Sequence, residues 1–195
     1  MESSFTKSFK LSGKVSAQSY PNSQSCYVEL KLTKKKPLHS PIILEVYICI
    51  KENRIFRYKT SLIWEDMHLL DIRDLALMFS NARKLANKEL GIYDPIKREK
   101  LFSHSLSLWE GCHGIGIIID SDRKRVRINN TKQEKRLWFV EWSFKGPKTK
   151  YGDVLWKSPS FQMIVDPSEC ERFGNELQSF VYNLDINLFK EWAKE

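Results

Sequence analysis

Between Phe9 and Thr33 apolar side chains return at every second position, and this alternation limits what the chain can fold into more than any other feature. Phe9, Leu11, Gly13, Val15 and Ala17 share one side of an extended segment, with Lys10, Ser12, Lys14, Ser16 and Gln18 on the other. A period of two belongs to a strand with one buried face, because successive side chains of a strand point to opposite sides. After the turn-rich Tyr20-Pro-Asn-Ser-Gln-Ser25 the pattern resumes, with Cys26, Val28, Leu30 and Leu32 against Tyr27, Glu29, Lys31 and Thr33. Ile42 to Lys51 repeats it, with Ile42, Leu44, Val46, Ile48 and Ile50 on the apolar side, and Arg54 to Trp64 reads as a fourth strand. Short connections between such strands favour an antiparallel meander.

The period then changes to 3.6. Ile72, Leu75, Ala76, Phe79, Ala82, Leu85 and Ala86 form one stripe, opened by Asp71 or Asp74 and closed at Leu90-Gly91, which predicts a helix over about 70–90. Tyr93-Asp94-Pro95 and the charged run 97–100 read as a connector. Strand patterns return at Leu106 and Leu108, Ile115 to Ile119, Arg123 to Ile128, Arg136 to Phe144 and Val154 to Val165, with turns predicted at Asp120-Ser-Asp122 and Asn129-Asn-Thr131. Asp166-Pro167-Ser168-Glu169 is a helix start: Asp166 caps, Pro167 takes the first helical position, and Glu169 completes a reciprocal cap. The stripe Cys170, Phe173, Leu177, Phe180 and Leu184 predicts a helix over about 167–184, followed by a separate short helix over 185–193.

The fold class that follows is α+β: two pseudo-repeated units, 1–93 and 94–195, each of about four antiparallel strands and a helix, or one compact domain in which the order happens to run twice. A tandem of four strands and a helix resembles the layout of the Whirly and PUR-repeat proteins, which bind single-stranded nucleic acid along their sheets. The resemblance is one of element order. Lys145-Gly-Pro-Lys148 loosely echoes the lysine-glycine-lysine signature of the Whirly proteins, and no functional residue is carried over from either family.

Composition removes other classes. At 42% hydrophobic and 29% charged, with 8 Gly and 7 Pro in 195 residues, the chain is neither disordered nor a low-complexity repeat. Its apolar runs fall far short of the ~20 residues that span a bilayer, so no membrane partner is expected. Met1 to Lys10 shows no secretory signal pattern, which gives an intracellular, cytoplasmic expectation. Cys26, Cys49, Cys112 and Cys170 contain no Cys-x-x-Cys pair and read as free thiols, not a zinc module. The four histidines show no helical i, i+4 pair, so no metal and no cofactor is expected. In Gly111-Cys-His-Gly-Ile-Gly116 the adjacent Cys112 and His113 would point to opposite faces of a strand, which denies them a thiolate–imidazole pairing. With no catalytic motif elsewhere, the protein is read as non-enzymatic.

The net charge of +8 is concentrated. Between Arg123 and Lys150 lie ten basic residues and two acids, so the rest of the chain balances to zero, while 166–195 holds seven acids against three bases. Arg123, Arg125, Arg127, Arg136, Lys145, Lys148 and Lys150, with Tyr151 in a glycine-flanked loop, are the candidate nucleic-acid contacts, since guanidinium groups engage phosphates bidentately. Trp138 and Trp142 alternate with Leu137 and Phe139. If their face is buried they are core; if it is exposed they form a stacking platform for unpaired bases. The expected function is contact with single-stranded RNA or DNA through 123–150. The alternative is a protein-interaction module, such as an inhibitor, immunity or adaptor protein, docking the same surface on an acidic partner.

Overall fold

A computed structural model describes residues 5–16, 24–34, 42–52, 55–67, 69–89, 102–110, 113–128, 131–145 and 160–192. The elements are β1 (Phe5–Val15), β2 (Ser25–Lys34), β3 (Ile42–Glu52), β4 (Ile55–Met67), α1 (Leu69–Glu89), β5 (Phe102–Glu110), β6 (His113–Ile128), β7 (Thr131–Lys145), β8 (Phe161–Val165) and α2 (Pro167–Trp192). The strands form one sheet in the order β4-β3-β2-β1-β8-β7-β6-β5, with every neighbouring pair antiparallel.

The alternation seen in the sequence is the burial pattern of the sheet. Cys26, Val28, Leu30 and Leu32 of β2 are buried, as are Phe9 and Leu11 of β1 and Ile42, Leu44, Val46 and Ile48 of β3. Their common face meets the two helices, and removing each such side chain from water stabilises the fold by roughly 1.5–3 kcal/mol. The opposite face of β1–β3 carries charge: Lys10 faces Glu29 at 4.0 Å, Lys31 meets Glu45 at 2.5 Å, and the Tyr47 hydroxyl donates to Glu45 at 2.7 Å. The hydrogen bond from Lys31 holds the Glu45 carboxyl below its usual range.

Helix α2 starts where the sequence places it. The Ser168 amide donates to Asp166 Oδ1 at 2.9 Å, and the Glu169 and Cys170 amides donate to the Asp166 carbonyl at 3.0 and 3.2 Å. Glu169 receives Arg172 at 2.8 Å, and the same guanidinium donates to Glu176 at 2.6 Å and to the Lys10 carbonyl at 2.7 Å. Arg172 therefore ties α2 to the backbone of β1 beyond the short stretch, Lys14 and Val15, that pairs with β8. The predicted stripe of Cys170, Phe173, Leu177, Phe180 and Leu184 is buried throughout.

Three expectations change. The strands of both halves join at the β1–β8 seam, and α1 packs on α2 over one core cluster drawn from both halves, so the structure does not show two pseudo-repeated units, although the order of four strands and a helix runs twice. No turn falls at Asp120-Ser-Asp122. β6 runs through it, with Asp120, Ser121 and Asp122 paired to Phe139, Trp138 and Leu137, because the long partner strand satisfies backbone groups that a turn would otherwise accommodate. The predicted break near 184 is also absent: α2 is one helix to Trp192, since neither Gly nor Pro interrupts it after Gly174. Of the last predicted strand, β8 covers Phe161–Val165, and 154–159 lies outside the described residues.

The seam requires a glycine. A Cβ at Gly13 would stand 2.5 Å from the Ile164 carbonyl oxygen and 2.7 Å from the Met163 methyl carbon, so only a residue without one lets β1 approach β8 this closely.

Cys26, Cys49 and Cys170 are buried free thiols. Burial pushes Cys26 up to about 12, and burial together with the charges of Asp166 and Glu169 pushes Cys170 up to about 12. The folded state therefore keeps its thiol protons after the unfolded chain has lost them. The resulting stability term is intact below pH about 9 and falls as pH rises from there towards 12, by up to about 1.4 kcal/mol per pH unit for each thiol. In urea denaturation at pH 7, 9 and 10, the wild type is expected to lose more stability than the Cys26→Ala/Cys170→Ala variant. Equal pH dependence of the two would contradict the burial.

Candidate nucleic-acid interface

The basic strands form a hairpin with unbroken register. β6 and β7 pair from Gly114↔Lys145 to Ile128↔Thr131, with Asn129 and Asn130 between the strands. In this register Arg123 lies opposite Arg136, Lys124 opposite Lys135, Arg125 opposite Glu134 and Arg127 opposite Lys132. Arg123, Arg125, Arg127 and Arg136 are thus brought together at one end of β7.

Lys145 is not among them. It ends β7 opposite Gly114, nine residues from Arg136, which is about 30 Å along a strand. The expected single surface over 123–150 is therefore divided, because a strand that long carries its two termini to opposite ends of the sheet. Lys148, Lys150 and Tyr151 lie outside the described residues. Lys124, Lys132 and Lys135 take their place beside the arginines. Their grouping was legible in the two-residue Asn129-Asn130 spacing, which sets hairpin register once β7 is started at Thr131.

Of the two readings of the tryptophan face, the structure shows the buried one. Trp138 is 6% exposed and Trp142 1%, and both belong to the core cluster. Trp142 stacks on Phe79 of α1 at a ring separation of 6.0 Å, and its indole N–H finds no hydrogen-bond partner among the described residues. The other side of β7 is covered as well: Leu137 and Phe139 are buried with Ile164 in a second, smaller cluster. Neither tryptophan can offer a ring face to a base.

A cleft of about 430 Å³ lies at the start of α2, lined by Gly13, Lys14, Leu137, Trp138, Asp166 and Glu169 among others. The Asp166 side chain already accepts the Ser168 amide there, and Asp166 and Glu169 make the site unwelcoming to an anion. His113 opens β6 opposite Glu110, and Cys112 lies outside the described residues. No group of three or more His, Cys, Asp or Glu that could hold a metal ion occurs among the described residues. No helix among them is long and apolar enough to cross a membrane.

No protein-family model matches the chain, no curated protein matches it, and no solved structure matches it.

Proposed function

We propose that this protein is a non-enzymatic nucleic-acid-binding protein that contacts phosphates through the end of the β6–β7 hairpin, with Arg123, Arg125, Arg127 and Arg136 as principal contacts and no cofactor. One observation carries the reading: the register sets Arg123 against Arg136, Lys124 against Lys135 and Arg127 against Lys132. Like charges directly opposite on neighbouring strands destabilise a sheet, and a polyanion bound across them relieves that repulsion. With Trp138 and Trp142 in the core, phosphate contact rather than base stacking supports the reading.

Fluorescence anisotropy with labelled oligonucleotides at several salt concentrations tests this. Binding is expected to weaken steeply with salt, as condensed counterions are released from the phosphates. Arg125→Glu/Arg127→Glu is expected to reduce affinity at least tenfold at moderate salt, while its thermal melt stays within a few degrees of wild type. Absence of binding at low salt by a folded sample would overturn the reading, and the same hairpin would then serve as bait for an acidic protein.

A further inference from the structure

Among the described residues, β6 and β7 pair beyond the last pairs they make with β5 and β8. On one side β5 pairs with β6 only as far as Phe102↔Ser121. On the other, β8 pairs with β7 only from Trp138↔Val165 to Trp142↔Phe161. Beyond those points, among the described residues, 122–128 pairs solely with 131–137. Seven register pairs, at a strand rise of about 3.3 Å, make a two-stranded ribbon about 20 Å long.

The composition of this ribbon is unlike that of the sheet from which it extends. Residues 122–137 hold seven bases and two acids, contain no Phe, Tyr or Trp, and include only Val126, Ile128 and Leu137 as large apolar residues. Leu137 sits at the base of the ribbon, buried with Phe139 and Ile164, and beyond it Val126 and Ile128 are its only large apolar residues. A ribbon with no third strand beside it among the described residues is by itself marginal in water. Its bases are also distributed over both sides. Strand alternation groups positions 123, 125, 127, 132 and 136 on one side and 124 and 135 on the other. A flat anionic partner would require cations on one side only. Cations on both suit a concave surround with phosphates along two walls.

We propose that the 122–137 ribbon enters the major groove of duplex DNA. This rests on the nucleic-acid reading above and specifies its substrate. The major groove of B-form DNA, about 12 Å wide, admits a two-stranded ribbon. The major groove of an RNA duplex is deep and narrow and excludes one. Single strands are bound mainly by aromatic stacking combined with a basic groove, and the ribbon has no aromatic residue.

The test uses the full chain and three labelled probes of one sequence: a 20-base-pair DNA duplex, its single strand and the matching RNA duplex. The DNA duplex is expected to bind at least tenfold tighter than either other probe. The complex is expected to be displaced by the major-groove ligand methyl green and to persist in the minor-groove ligand netropsin. Arg123→Ala/Arg136→Ala is expected to lower duplex affinity about tenfold and to flatten its salt dependence. Because it removes a like-charge pair, it should leave the melting temperature equal to or above wild type, which separates lost binding from lost folding. Lys145→Glu, at the far end of β7, is expected to change affinity less than twofold. Single-strand or RNA-duplex binding as tight as the DNA duplex, or displacement by netropsin alone, overturns the groove assignment while the nucleic-acid reading stands. Failure to bind all three probes overturns both.

Discussion

Gly174→Ala is expected to destabilise the protein by about 3 kcal/mol, although alanine in a helix interior is ordinarily better than glycine by about 1 kcal/mol. The reversal comes from the crossing of α1 and α2. A Cβ at Gly174 would stand 2.7 Å from Ser80 Cα and 2.8 Å from the Phe79 carbonyl carbon, and would press on the Ser80 backbone nitrogen as well. These are main-chain atoms of the facing helix and cannot rotate aside. The helices must separate, and the Phe79–Phe173 contact, with ring centroids 4.8 Å apart, must open with them. Overpacking of this kind costs typically 1–3 kcal/mol and more where backbone is involved. Urea denaturation reads the effect as a lower midpoint at unchanged slope. A variant as stable as wild type would show that the helices do not meet at Gly174.

Phe79→Ala is expected to cost about 3–5 kcal/mol, the range for removing a large aromatic from a packed interior. Phe79 is fully buried and stands between the layers, edge-on to Phe173 of α2 and stacked on Trp142 of β7. Its loss leaves a cavity bounded by both helices and the sheet and removes two aromatic contacts whose geometry adds to simple burial. Phe5 offers the comparison. It also stacks on an aromatic of α2, Phe180, at 5.8 Å, but is 54% exposed, and Phe5→Ala is expected to cost under about 1 kcal/mol. Equal losses for the two variants in the same urea titration would contradict the placement of Phe79 at the centre of the core.

Much of this arrangement is written locally. The apolar positions of β1, β2 and β3 alternate over most of their length and those positions are the buried ones, except that Cys49 is buried out of phase beside Ile48, where the β3–β4 register shifts. The stripes Ile72-Leu75-Ala76-Phe79-Ala82 and Cys170-Phe173-Leu177-Phe180-Leu184 are the core faces of α1 and α2. Asp166 caps α2 as its place before Pro167 implies. Each of these depends on residues a few positions apart, so the pattern alone carries it.

Local reading failed where a distant partner decided the outcome. Asp120-Ser-Asp122 has turn composition, yet β7 lies alongside and holds it extended. Gly174 looks like an ordinary weak point in a helix until Ser80 is placed against it. The alternation of β7 distinguishes two faces without saying what covers either, and helix α1 settles the matter by placing Phe79 on Trp142.

The candidate site divides in the same way. Positive charge gathers between Arg123 and Lys150, strand alternation runs through the same segment, and the rest of the chain balances to neutrality, all of it readable from the order of residues. That Arg123 and Arg136 stand opposite each other while Lys145 lies about 30 Å away, and that among the described residues β5 and β8 pair no further than the start of the basic pairs, emerges only from the folded sheet. Charge and periodicity are properties of neighbouring residues. Register and the ends of a sheet are set by pairing between segments far apart in the chain.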